Sequence, residues 1–139
     1  MTRQKMVPHN NRQTVMVVDD DDAVRVIVRA VLEDEGYQVL IAESGSAGLE
    51  MLAGVTPSLV LLDYMMPEMN GGEFLQALRQ RGLCRSTPIL LLTAVSRIEE
   101  QVNQLDVQGV IQKPFELEEL ITTIKQWIDA RQEAGQASP

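Results

Sequence analysis

The chain has 139 residues, with 20 acidic and 12 basic side chains, a formal net charge of −8 and a hydrophobic share of 45%. This length fits one domain with its own core; the acidic balance disfavours nucleic acid, whose phosphates are held by Lys and Arg, and suits a metal cation or a partner with a basic patch. No apolar run approaches the roughly 20 residues of a membrane span, the opening MTRQKMVPHNNRQT lacks the apolar segment of a secretory signal, and the lone Cys84 forms neither an internal disulfide nor a thiolate cage, which favours a reducing, cytoplasmic setting.

Residues 1–13 are polar and mixed and read as a flexible tail. TVMVV (14–18) is a continuous apolar run, the pattern of a strand covered on both faces. Val24, Ile27, Val28, Val31 and Leu32 then recur at helical spacing, and Gly36 ends that helix. YQVLIA (37–42) is a second strand, and SAGLEML (46–52) a short helix closed by Gly54. SLVLL (58–62) is the third strand, and MNGG (69–72) is turn chemistry. Phe74, Leu75 and Leu78 mark the inner face of the next helix, followed by a fourth strand, PILLLT (88–93). Ser96 and Glu99 match a capping box, with Ile98, Val102 and Leu105 on one face behind it. GVIQ (109–112) is the fifth strand. Leu117, Leu120, Ile121, Ile124 and Ile128 form the stripe of a final helix, with Trp127 at its margin. RQEAGQASP (131–139) reads as a second flexible tail, leaving 14–130 as the domain. The residues after Trp127 are too few for a DNA-binding or catalytic output domain.

Strand–helix alternation repeated five times implies a parallel sheet with helices on both faces. All strands then end at one edge, where ligands of such sheets bind. Strand one ends in Asp19 and Asp20, strand three in Asp63, strand four in Thr93, and strand five in Lys113-Pro114. Clustered carboxylates that stay ionised need a cation. Oxygen ligands with open positions suit Mg2+, which keeps waters and takes a phosphate oxygen. Lys113 adds a point charge, and the Thr93 hydroxyl is a donor for an oxyanion. A carboxylate beside such groups is able to attack phosphorus and become an acyl phosphate.

Together VVDDDDAVR, LVLLDYMMPEMNGGEFL, ILLLTA and VIQKPF resemble the receiver domain of two-component response regulators over roughly residues 14–130. The resemblance implies a flavodoxin-like (βα)5 sandwich with strand order 2-1-3-4-5, the order for which a receiver protein is itself a standard example. It implies that Asp63 accepts a phosphoryl group from a histidine kinase or a histidine phosphotransfer protein. Asp20 would ligate Mg2+ directly, Asp19 mostly through water, and the Met65 backbone carbonyl would complete the protein's share of the shell. Thr93 would bind the phosphoryl group and move with it, Lys113 would pair with a phosphoryl oxygen, and the Lys113–Pro114 bond would be cis. The domain would catalyse only its own phosphorylation and slow dephosphorylation, and would switch the binding of a downstream protein target.

Two departures stand out. Many receivers carry an aromatic residue three before the lysine; here it is Val110, which lacks a polar tip and much rotamer freedom. The stretch from Thr93 to Lys113 is also shorter than in many members. The positions two after the phosphoacceptor and two after the threonine, Met65 and Val95, are apolar and unable to orient a water, which predicts slow self-dephosphorylation. Competing readings are a Mg2+-dependent aspartyl-phosphate phosphatase or phosphotransferase, a receiver excised from a hybrid kinase, and a degenerate receiver used only for docking. The phosphatase reading lacks its nucleophile pattern in DYMMP and any cap-sized insertion; the docking reading is opposed by the complete acid, threonine and lysine set. Within the run Asp19–Asp22, Asp22 is read as the helix cap and Asp21 as a solvated acid.

Overall fold

The computed structural model describes residues 13–94 and 107–137, with side chains through residue 130. Five strands, β1 (Thr14–Val18), β2 (Gln38–Ala42), β3 (Leu59–Asp63), β4 (Ile89–Thr93) and β5 (Gly109–Gln112), form one sheet in the order β2-β1-β3-β4-β5. Every neighbouring pair is parallel. Helices α1 (Asp22–Asp34), α2 (Gly45–Leu52), α3 (Gly71–Arg81) and a C-terminal helix (Leu117–Ala137) accompany it. The strand order is the one the receiver resemblance implies, and the all-parallel pairing is the one strand–helix alternation implies. The segment expected to be helical through Ser96–Leu105, and Val95 before it, lie outside the described residues, as do residues 1–12.

The continuous apolar runs have a direct cause. Successive strand residues face opposite sides of the sheet, and both sides are covered. Val15, Val17, Leu59, Leu61, Leu90 and Leu92 pack with Val28 and Leu32 of α1 and Leu120, Ile124 and Ile128 of the C-terminal helix. Met16, Val18, Val60, Leu62, Ile89 and Leu91 pack with Leu49 and Leu52 of α2 and Phe74, Leu75 and Leu78 of α3. Two cores therefore share one sheet; β1 to β4 feed both alternately, while the edge strand β5 gives only Ile111 to the first. Full burial of such a side chain contributes about 1.5–3 kcal/mol.

Helix ends account for much of the local specification. Gly36 follows α1 with φ 97, where its amide reaches Glu33 O (3.0 Å) and the Tyr37 amide reaches Leu32 O (3.1 Å). These two bonds satisfy terminal carbonyls, and only glycine takes that φ without strain. Asn70 caps α3 and exchanges bonds with Glu73, the Glu73 amide donating to Asn70 Oδ1 and the Asn70 amide to Glu73 Oε1, each 2.9 Å. The sequence reading of MNGG as a turn is thus corrected: Asn70 is a cap, and Gly71 and Gly72 lie in the first helical turn.

Three other expectations change. The cap of α1 is Asp21, whose Oδ1 accepts from the amides of Ala23 (2.9 Å) and Val24 (3.3 Å); Asp22 is the first helical residue and pairs with Arg25 instead. Ile27, expected on the inner face of α1, is 48% exposed. The C-terminal helix continues through Ala137, past residue 131 where the sequence suggested a tail. Trp127 is partly buried and packs against the core shared by α1 and the C-terminal helix.

Candidate functional site

The strand register decides what meets at the upper edge of the sheet. Val18 pairs with Leu62, so Asp19 and Asp63 are each the next residue along neighbouring strands. Asp63 pairs with Leu92 and Thr93 with Gln112, which brings Thr93 and Lys113 to the same edge. Asp19, Asp63 and Thr93 are buried, Lys113 is partly so, and Asp20 is exposed. One carboxylate oxygen from each of Asp19, Asp20 and Asp63 lies within 4.8 Å of the others.

Asp19 is held from every side. Its amide donates to Ala42 O of β2 (3.1 Å) and its Oδ1 accepts from the Asp21 amide (2.9 Å). Its Oδ2 accepts from Lys113 Nζ (2.9 Å), and its carbonyl from Arg25 Nη1 (2.7 Å). Asp63 Oδ1 accepts from the Met65 amide (3.2 Å) and lies 3.6 Å from Lys113 Nζ. Met65 itself is 56% exposed in the loop after β3. The Lys113 amide donates to Thr93 O (2.7 Å), which seats the end of β5 beside β4, and the Lys113–Pro114 bond is cis. The six positions singled out from sequence thus fall at one edge. Arg25 was not among them, although its spacing from Asp22, three residues along a helix, is a legible ion-pair signal.

The electrostatics follow from this crowding. Burial pushes the Asp63 carboxyl up to about 7, the Asp19 charge adds to the rise, and Lys113 and the Met65 amide oppose it. For Lys113, burial works against the charged form, but the hydrogen bond and charge of Asp19, then Asp63 and Asp21, outweigh it and raise the pKa. One lysine therefore does not fully compensate these carboxylates. The donor set is all carboxylate oxygen and close together, and one of its three acids, Asp20, is exposed to entering ions. It suits a hard divalent cation, and nothing in it suits a soft one.

Next to these groups runs an apolar groove of about 470 Å3 between α1 and the loop entering the C-terminal helix. Val24, Ile27, Ala94, Pro114 and Phe115 line it, and Lys113 lies on its border with the acidic cluster. Val110, at the position where the resemblance led to an aromatic, is 40% exposed on the edge strand β5.

Residues 15–125 match the family model of the response regulator receiver domain. The chain belongs to that family. It is 39% identical over 113 residues to the uncharacterized transcriptional regulatory protein YkoG of Bacillus subtilis, covering 80% of this chain and 49% of that protein. It is 42% identical over 113 residues to the response regulator MprA of Mycobacterium ulcerans, covering 80% and 48%. The chain thus spans about half the length of the curated relatives it matches. Among solved structures, the chemotaxis protein CheY4 of Vibrio cholerae is 32% identical, with a TM-score of 0.77 over 83% of this chain and 98% of that one. A CheY-like receiver domain protein of Methanospirillum hungatei is also 32% identical, with a TM-score of 0.74 over 86% and 97%. The fold of this receiver is accordingly flavodoxin-like, and its place is that of the phosphoacceptor in two-component signalling rather than of a conventional enzyme. Among the described residues no helix is long and apolar enough to cross a membrane.

Proposed function

We propose that this receiver takes a phosphoryl group onto Asp63 from the phosphohistidine of a histidine kinase or histidine phosphotransfer protein in the cytoplasm, with Mg2+ held by Asp19, Asp20, Asp63 and the Met65 carbonyl. The observation that supports this most is the convergence of Asp19, Asp20 and Asp63 within 4.8 Å beside the Lys113 ammonium. When bound, the cation neutralises the carboxylates and the phosphoryl oxygens.

A carboxylate oxygen of Asp63 attacks phosphorus as the P–N bond breaks. The donor ring, protonated on its other nitrogen, leaves with that electron pair as neutral imidazole, and an acyl phosphate remains on Asp63. Lys113 supplies positive charge to a phosphoryl oxygen, and the Thr93 hydroxyl donates to another. The rate comes from placing these groups in advance, since little reorganisation is left for the transfer itself. The apolar groove supports docking of the donor: an amphipathic helix seated on Ile27, Pro114 and Phe115 brings its histidine to the edge where Lys113 stands. Thr93 drawn towards the phosphoryl group biases a two-state equilibrium read by a downstream protein. The relatives called transcriptional regulators are about twice as long as the matched region, so the identity of the output rests with those longer proteins.

The test is phosphotransfer profiling against purified histidine kinases with radiolabelled ATP. Wild type labels with a cognate kinase in Mg2+ and not in EDTA, and Asp63→Asn does not label. Labelling of the Asn variant would place the phosphoryl group elsewhere.

A further inference from the structure

Arg25 lies one turn into α1, and its side chain is only 12% exposed. Its guanidinium makes two contacts across the turn between β1 and α1. Nη1 donates to the Asp19 carbonyl at 2.7 Å, and Nη2 pairs with the Asp22 carboxylate. Desolvating a guanidinium is costly unless its acceptors are well placed. Here the planar fork finds two acceptors three residues apart.

Those two acceptors bracket Asp20. Asp19 stands at the first end of the turn, where its amide still bonds β2 through Ala42 O but its carbonyl has left the strand ladder. Asp22 stands at the other end, as the first residue of the helix. The Asp21 amide adds a third tie, to Asp19 Oδ1 at 2.9 Å. The backbone that carries the exposed carboxylate is therefore stretched between fixed points, and one of them is the Arg25 fork.

We propose that Arg25 is a positioning residue for the cation site: it holds the Asp19–Asp22 turn so that the carboxylates of Asp19 and Asp20 meet Asp63 at metal-binding distance. This rests on the Mg2+ reading given above. It makes a prediction against simple electrostatics. Arg25 is a positive charge next to a cation site, so neutralising it should favour Mg2+ if charge alone mattered. If positioning dominates, neutralising it weakens binding, as loss of groups that orient metal ligands does by about 10-fold or more.

The experiment is isothermal titration of the full chain with MgCl2 at one pH, on wild type, Arg25→Gln and Arg25→Lys, with circular dichroism and metal-free melting curves alongside. Arg25→Gln is expected to bind Mg2+ about 10-fold more weakly. Arg25→Lys, which keeps the charge but not the fork, should lose less and in the same direction. Unchanged or tighter Mg2+ binding by Arg25→Gln overturns the proposal, even where its metal-free melting temperature falls, because that pattern is a purely structural role. If Arg25→Gln does not fold, Arg25→Lys decides in the same way: weaker binding supports the proposal and equal binding overturns it. Wild type that binds no Mg2+ would instead remove the metal reading itself, and this inference with it.

Discussion

Asp63→Asn should stabilise the metal-free protein, and by an amount that depends on pH. The carboxyl is raised from its ordinary 3.8 to about 7 by burial and by the Asp19 charge. Its unfolded counterpart titrates near the ordinary value. Between these two values the native state binds more protons than the unfolded state, so this group's contribution to stability falls as pH rises from about 4 to about 7 and is flat above. At 1.36 kcal/mol per unit, the loss at pH 8 reaches about 4 kcal/mol. Asn has the shape of the protonated acid and never ionises. Lys113 gives up a contact at 3.6 Å but keeps Asp19 at 2.9 Å. The variant should therefore match wild type within about 1 kcal/mol at pH 4.5 and exceed it by up to about 4 kcal/mol at pH 8. In a domain of this size that is roughly 15 °C in melting temperature. Urea unfolding in EDTA across this range measures the gap directly. Mg2+ at about 100 times its Kd should then raise wild type by about 2.7 kcal/mol and narrow the gap. An Asn variant no more stable than wild type at pH 8, or a gap independent of pH, would refute the reasoning.

Three further outcomes are expected. Phe74, fully buried between α2 and α3, should cost about 3–5 kcal/mol when replaced by Ala, read as a lower urea midpoint at unchanged slope. Asn70→Ala removes the cap of α3 and should cost about 1 kcal/mol by the same assay, while Asn70→Asp should be nearly silent. Self-dephosphorylation should be slow, because Met65 stands two residues after Asp63 and its thioether has no means of orienting an attacking water; loss of label within seconds from purified phosphoprotein in Mg2+ would contradict this.

The parts of the fold that were legible in the sequence are those set by composition along one dimension. Apolar runs such as LVLL and ILLL announce strands buried on both faces, and acids or a lysine directly after them announce the edge where they gather. What was not legible turns on backbone direction. Within four consecutive aspartates, the side chain that caps α1 depends on which residue first takes helical dihedrals, and periodicity is blind to a one-residue shift; hence Asp21 rather than Asp22. The contact from Arg25 to the Asp19 carbonyl involves no side-chain complementarity on the Asp19 side, so no residue pattern encodes it. The cap at Asn70 was readable from Asn70 and Glu73, three residues apart, but the adjoining glycines argued for a turn. Ile27 obeys helical spacing with the core residues, yet it sits at the edge of the buried stripe, and spacing does not say where that stripe stops.

The parallel register also sets what kind of sequence change the domain can absorb. Every group at the site is the last residue of a strand or one of the first residues after it, measured against neighbours whose pairing starts at the opposite end of the sheet. The strands act as rulers. Deleting a single residue from Leu59–Leu62 would turn Asp63 to the other face of the sheet and draw it about 3.3 Å back from Asp19 and Lys113. The same deletion in the turn at Gly82–Ser86, beyond the far ends of the strands, leaves all those distances alone. Insertions made beyond those far ends, for a tag or a reporter, should thus leave phosphorylation intact.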